Sequence, residues 1–392
     1  MNTGSRGRPA WVNTALVSTA SLILAFAVAM IIMVVTDAEI MAKYAYFVAR
    51  PGDALDATFG KIALTFEAMY VGSLGSATAL TETTAEAAPL IAAGLGVALA
   101  FRAGLFNIGA QGQAVMGALV GAYLGFSVKG LPAILHLPLV ILAGVLMGAL
   151  WGGVVGLIKA RTGAHEVILT IMMNYVAANI LSFLLKQPFM RQPGTSNPIA
   201  PVLEWSATLP RVAGTRLHLG FGLALLAALG CWWLLERTRF GLRLQAVGLN
   251  PDAAATAGTS VSRVTFTTMA LAGGLAGLGG LITVTAPVIL TSYPSQLTVS
   301  IIGTLGFDAI TVALLGRSRP LGVVLAGLLF GALKASRTAM VTIANTPKQL
   351  VDLIQALIVL LVAAPAFVTW LLPFLKERRR RAVRTVPKEA KA

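Results

Sequence analysis

A long apolar sequence makes its few polar side chains conspicuous, and three groups of them have types and spacings suited to holding a ligand. Asn107 and Gln111 lie four residues apart in FNIGAQGQ, with Gln113 adjacent, so their amides share one side of a helix. Glu166, Thr170 and Asn174 repeat the four-residue step, and Ala178 continues that face. Asp308 stands in GFDAITVALLGR. Amides and hydroxyls donate and accept hydrogen bonds without fixed charge, and Phe106 beside them offers an apolar ring. Polar groups inside a membrane are costly enough to be functional suspects, but each also has a structural use: bonding a neighbouring helix or the free backbone of a broken one. For Asn107, Gln111 and Gln113 both readings stand. For Glu166, near the inner end of its span, the structural reading is preferred. Asp308 either pairs with a basic residue or caps a helix.

Other chemistry is missing. The sequence has no G-x-x-x-x-G-K-[ST] phosphate loop and no G-x-S-x-G nucleophile motif, so no catalytic residue is assigned. His136, His165 and His218 are scattered and lack HExxH or cysteine partners, which leaves no metal site and no cofactor for this chain. The lone Cys231 sits in an apolar stretch and rules out an intramolecular disulfide.

These residues must be held by membrane helices. Hydrophobic residues make up 57% of the 392, Asp, Glu, Lys and Arg only 11%, and mean hydropathy is +0.81, whereas soluble domains carry about 25% charged residues. The composition defines an all-α, polytopic membrane protein. Its net charge of +15 lies at the ends of apolar spans and in a tail, not in a patch interleaved with aromatics, so it encodes topology and contact with membrane lipids and not nucleic-acid binding. Stretches long enough to cross a bilayer fall near 12–35, 82–101, 108–127, 137–158, 164–185, 218–235, 264–286, 297–315, 320–340 and 348–372, about ten helices. The third and eighth are rich in Gly, Pro and polar residues around Asn107 to Gln113 and Pro287 to Gly306, as broken or re-entrant segments are. With both termini cytoplasmic, 19 of the 30 basic residues fall inside. The first span follows Arg6 and Arg8, is too long for a signal peptide and is kept as an anchor. Arg102 and Lys159 are expected to snorkel to the inner surface. Gly144, Gly148, Gly152 and Gly156 recur every four residues, as do Gly117, Gly121 and Gly125, and Gly273 with Gly277, which predicts tight helix pairs. Residues 1–375 form the transmembrane domain, with outer loops 37–80 and 186–217, and 376–392 form a basic cytoplasmic tail.

Between two spans, residues 236–263 make a charged, glycine-punctuated island holding Arg237, Arg239, Arg243 and Arg263. Asn250 is a good N-cap, Pro251 suits the first helical position, Asp252 complements the helix N-terminus, and Gly258 is placed to end the helix left-handed. A helix is predicted over roughly Pro251 to Ala257, including Ala253 and Ala254, and a second over Arg239 to Ala246 ending near Gly248. Helices this short are marginal alone, so the island makes most sense with something packed on it. An ordinary loop is the plainer alternative.

FRAGLFNIGAQGQAVMGA at 101–118, GAHEVILTIMMNYVA at 163–177, RTRFGLRLQAVGLNPDAAATAG at 237–258 and ITVALLGRSRPLGVVLAGLLFGAL at 310–333 resemble, in order, the signature blocks of ABC-importer permeases of the simple-sugar and branched-chain amino-acid superfamily, and most nearly the purine nucleoside (basic membrane lipoprotein) uptake permeases. The family more often carries a glutamate where Gln111 stands and an asparagine where His165 stands. The resemblance implies a type II-like importer permease in a bacterial inner (plasma) membrane, coupled through residues 236–263 to a cytoplasmic ABC ATPase that holds ATP and magnesium. It further implies a second permease subunit, expected as a heterodimer, and an extracytoplasmic binding lipoprotein docking near 37–80 or 186–217. The expected substrate is a nucleoside, with a simple sugar as the alternative. An ATPase-independent secondary transporter or channel is the alternative from other classes, but carboxylates are few and a channel gives no reason for the capped helix pair.

Overall fold

The computed structural model describes residues 10–287 and 296–372. Arg6, Arg8, the tail 376–392 and part of the Pro287 to Gly306 segment lie outside the described residues. In chain order the helices are α1 Ala10–Thr36, α2 Ala38–Tyr44, α3 Pro51–Ser73, α4 Ala77–Arg102, α5 Ala110–Ser127, α6 Ala133–Thr162, α7 Glu166–Leu184, α8 Leu219–Arg237, α9 Arg239–Leu249, α10 Pro251–Thr256, α11 Val261–Thr285, α12 Leu305–Leu315, α13 Pro320–Ala335, α14 Arg337–Ala344, α15 Gln349–Ala363 and α16 Pro365–Leu371. Among the described residues, β-structure is limited to isolated bridges such as Ile199 with Thr298 and Arg211 with His218.

Local chemistry sets many of the boundaries. Asp37 caps α2 by accepting from the Glu39 and Ile40 N–H groups, Ser76 caps α4 through Ala79 N–H, and Pro51 and Pro320 stand at first helical positions where no donor is needed. Seven helical runs among the described residues are long and apolar enough to cross a membrane: Leu16–Thr36, α4, α6, α7, α8, α11 and the run Pro320–Ala344. The other three expected spans differ. The third begins at Ala110 after an unwound stretch, the eighth is helical only over Leu305–Leu315, and the tenth stops at Ala363 before a new start at Pro365.

α4 and α11 are the most enclosed spans. α11 packs against α6 through the predicted glycine stripes. A methyl group at Gly148 would strike the Gly273 carbonyl and Gly277, one at Gly156 would meet Phe266 and Met269, and one at Gly117 would strike Gly277. Backbone-to-backbone approach of this kind supplies dispersion contacts where lipid removes the hydrophobic drive. The expected loop 37–80 is largely helical, with α3 packed on α14. Lys61 of α3 pairs with Asp37 at 2.9 Å and donates to the Asn345 carbonyl at 3.2 Å. Segment 186–217 instead lies over the ends of the spans: Glu204 N–H donates to Gly125 O, Leu209 N–H to Thr285 O, and Arg216 holds Glu82 and Glu86 of α4.

Candidate functional site

α4 ends at Arg102, where the Ala103, Gly104 and Leu105 N–H groups close its last turn on the Ala100 and Phe101 carbonyls, and residues 105–108 then run on without regular structure to α5. Gly104 takes φ +72°, which turns the chain out of α4. Burial then alternates: Ala103, Leu105, Asn107 and Gly109 face inward, while Gly104, Phe106 and Ile108 face open space to differing degrees. Backbone outside a helix or sheet leaves polar groups that must find other partners.

Side chains supply them. Asn107 Oδ1 accepts from Gly109 N–H at 2.9 Å, and its Nδ2 donates to Gln113 Oε1 at 3.1 Å. From α7, Asn174 accepts from Gly112 N–H at 2.8 Å and donates to Ile108 O at 3.0 Å. Glu166 Oε1 accepts from Phe106 N–H at 3.4 Å, while its Oε2 pairs with Lys159 at 2.7 Å. The α7 face predicted from Glu166, Thr170 and Asn174 therefore points at the break, where Thr170 packs on Gly109.

Gln111 joins this break to a second one. Its Oε1 accepts from Gly306 N–H at 2.7 Å and its Nε2 donates to Gly303 O at 2.8 Å, so one amide caps the irregular entry to α12. Gly306 lies directly on the Gln111 backbone, with no room for a larger residue. Asp308 pairs with Lys334 at 2.6 Å and accepts from the Thr304 hydroxyl at 3.1 Å, so of the two sequence alternatives it takes the basic partner and does not cap α12. Gly303, Gly306 and Lys334 were not singled out by sequence. The paired glycines of GTLG were the available signal.

Asn107 and Gln113 are fully buried and bonded to each other, whereas Phe106 is 43% exposed and stacked on Phe101 at 5.0 Å between ring centres. Gln111 and Asn174 are half-buried. Glu166 and Asp308 each have a lysine partner, so the carboxylates of the two breaks are neutralised within the protein. Two expectations change here. Lys159 is ion-paired with Glu166, and Arg102 donates from Nε to Ser318 O at 3.0 Å in the α12–α13 turn, so both basic groups have protein partners where lipid headgroups or water were expected. In each case a protein acceptor lies within reach of the side chain.

The island 236–263 folds as a helix pair. Thr238 caps α9 and Asn250 caps α10, accepting from Ala253 N–H at 3.0 Å. Gly258 has φ +81°, with Gly258 N–H donating to Ala255 O and Thr259 N–H to Ala254 O. α9 ends at Leu249, next to Gly248 as expected, and that glycine lies against Arg102 and Ala103. Ala254, in the helix expected to receive a partner, is instead buried within the chain with Leu99, Ala103, Leu244 and Val247. Arg243, Pro251, Asp252 and Ala253 face outward, as do Leu242 and Leu249, the latter 88% exposed. A 450 Å³ cavity lies beneath the pair, lined by residues that include Gly104, Lys159, Val247, Gly248 and Thr265.

Long apolar helices, two broken segments stitched together by amides and a capped helix pair at one end define a helical membrane permease. Residues 79–363 match the family described as branched-chain amino acid transport system, permease component, and the chain belongs to that family. It is therefore a non-catalytic, multi-pass subunit of the plasma membrane. The chain is 36% identical over 324 residues to the guanosine ABC transporter permease protein NupP of Bacillus subtilis (strain 168), covering 81% of this chain and 90% of that one. It is 35% identical over 311 residues to the glucose ABC transporter permease protein TsgB13 of Haloferax volcanii, covering 76% and 80%. The nucleoside ABC transporter permease protein NupB of Lactococcus lactis subsp. cremoris is 32% identical over 321 residues, 79% of this chain and 86% of that one. No solved structure matches the chain.

Proposed function

We propose that this chain is one of two permease subunits of an ATP-driven importer of purine nucleosides. The carrying observation is the absence, among the described residues, of unpaired charge at the joined breaks, where Phe106 is exposed and the half-buried Gln111 and Asn174 amides each keep one N–H and one lone pair beyond their bonds to the backbone. A ring to stack on and amides to bond hydroxyls and ring nitrogens suit a nucleoside, while fixed charge would favour an ionic substrate. Asn107 and Gln113 shape the α4–α5 break from behind. Likeness to a guanosine and a nucleoside permease supports the substrate. A simple sugar is the second reading, favoured by the glucose relative at nearly the same identity. Hydroxyl recognition would use the same amides, but the exposed Phe106 ring adds most to a planar base.

Ten spans with both termini inside form the proposed topology, with α5, α12 and α15 crossing as parts of broken or shortened segments. Arg102, Arg161, Arg263, Arg317 and Arg319 gather at the end that carries α9 and α10. Contacts between Arg102 and Ser318 and between Ser262 and Ala160 support one basic, cytoplasmic face there. On it the α9–α10 pair docks a cytoplasmic ABC ATPase, which binds ATP with magnesium, through Arg243, Asn250, Pro251, Asp252, Ala253 and the exposed Leu249, with Ala254 and Gly258 fixing the pair's shape. A heterodimer is supported by relatives that occur in twos: NupP and NupQ in one organism, NupB and NupC in another. An extracytoplasmic lipoprotein delivers substrate to the opposite face, near 37–80 and 186–217.

The test is co-expression with a neighbouring ATPase and second permease, followed by purification through a tag on this chain. Retention of both, with hydrolysis stimulated by nucleoside-loaded binding protein, is the expected outcome. A chain that purifies alone and moves substrate without ATP contradicts the assignment.

A further inference from the structure

We infer that Gly248 and Gly104 form a direct mechanical joint through which α9 moves the α4–α5 break. The inference rests on the assignment of α9 and α10 to ATPase docking. A Cβ built on Gly248 would overlap the Arg102 carbonyl oxygen and approach the Ala103 carbonyl carbon to 3.0 Å, so α9 meets the end of α4 backbone to backbone. One residue on, a Cβ on Gly104 would sit 3.2 Å from the Gly248 carbonyl oxygen, and Gly104 holds the φ of +72° that starts the break. Leu99, Ala100, Ala103 and Leu105 share one buried cluster with Leu244, Val247 and Ala254, which locks the two pieces around the glycine contact. Arg102 extends the joint, since its Nε holds the Ser318 carbonyl in the turn that follows α12.

Such a contact transmits displacement well. Side chains absorb movement by changing rotamer, but two backbones in van der Waals contact within a packed cluster have no such slack. Phe106 and Asn107 lie two and three residues beyond Gly104, and Asn107 is itself buried and bonded to Gln113 and Gly109, so a shift of α9 reaches the candidate pathway through packed residues. Gly248 and Gly104 are positioning residues in this scheme and touch no substrate.

In the assembled complex with Cys231 replaced, Gly248→Ala should retain its ATPase and its basal hydrolysis, while guanosine moved per ATP falls about tenfold, the scale by which residues between two sites alter coupling. A paired substitution provides a second measurement that does not depend on tolerance of the alanine. Leu105→Cys with Val247→Cys should cross-link on oxidation and continue to transport guanosine, because parts that move as one body lose nothing by being tied. Unchanged coupling in Gly248→Ala, loss of the ATPase from that variant, failure of the pair to cross-link, or transport blocked by oxidation and restored by reduction each overturns the joint. A wild-type chain that retains no ATPase ends the docking assignment as well, whereas coupled transport by Gly248→Ala ends this inference alone.

Discussion

At a helix end in solution water satisfies the last carbonyls and first N–H groups, but at the α4–α5 break side-chain amides take that place. Asn107, Gln113 and Asn174 have their polar atoms committed to protein partners, and removing one leaves the others exposed to an apolar interior. Asn107→Ala or Gln113→Ala should therefore cost about 1 to 3 kcal/mol, seen as a lower melting temperature of the purified complex and a parallel fall in uptake. Phe106 has no such duty. Phe106→Ala loses the stack on Phe101 but no buried hydrogen bond, so it should lower the melting temperature less than Asn107→Ala does while lowering guanosine uptake, and a variant with normal uptake would remove the ring from the pathway. Gln111 lies between these cases. Gln111→Glu keeps the acceptor for Gly306 N–H but loses the donor to Gly303 O, so it should weaken the link between the two breaks less than Gln111→Ala does, as read by melting temperature.

The elements were legible where their causes are local. Asn250, Pro251 and Gly258 announce α10 because capping and left-handed termination are decided within a few residues, and the glycine stripes announce α6 against α11 because one spacing serves the whole face. What failed to show was tertiary. The end of α9 near Gly248 was legible, but not the use of that glycine, whose missing side chain lets the Arg102 and Ala103 backbone lie against it. Residues 37–80 read as an outer loop, yet they hold α3, which is stabilised by α14 and by Lys61 bridging Asp37 and Asn345. The polar residues of the site were visible, but not the division between Asn107 and Gln113, which are buried, and Phe106, which is open, because alternation over seven residues carries no depth. Two substitutions separate docking from folding in the helix pair. Leu249→Asp changes an exposed side chain, so it should leave the chain folded and abolish retention of the ATPase. Ala254→Asp puts a charge into a buried cluster and should lower thermal stability first. Equal stability of the two variants would contradict the inward orientation of Ala254.

For the whole molecule, the account requires α9 and α10 on the cytoplasmic face and the layer formed by α3 and segment 186–217 on the other. With Cys231 replaced, cysteines introduced at Asp53 or Thr195 should react with an impermeant thiol reagent applied outside intact cells, and cysteines at Thr256 or Val386 should not. Labelling at Thr256 from outside would overturn both the topology and the docking surface. Above that stands substrate transport itself. The complex of this chain with its second permease and ATPase, reconstituted into liposomes with the binding protein outside and ATP inside, should accumulate radiolabelled guanosine only while ATP is present, with excess adenosine competing and excess glucose not. Accumulation of glucose in place of guanosine, or guanosine equilibration that proceeds without ATP, would contradict the account.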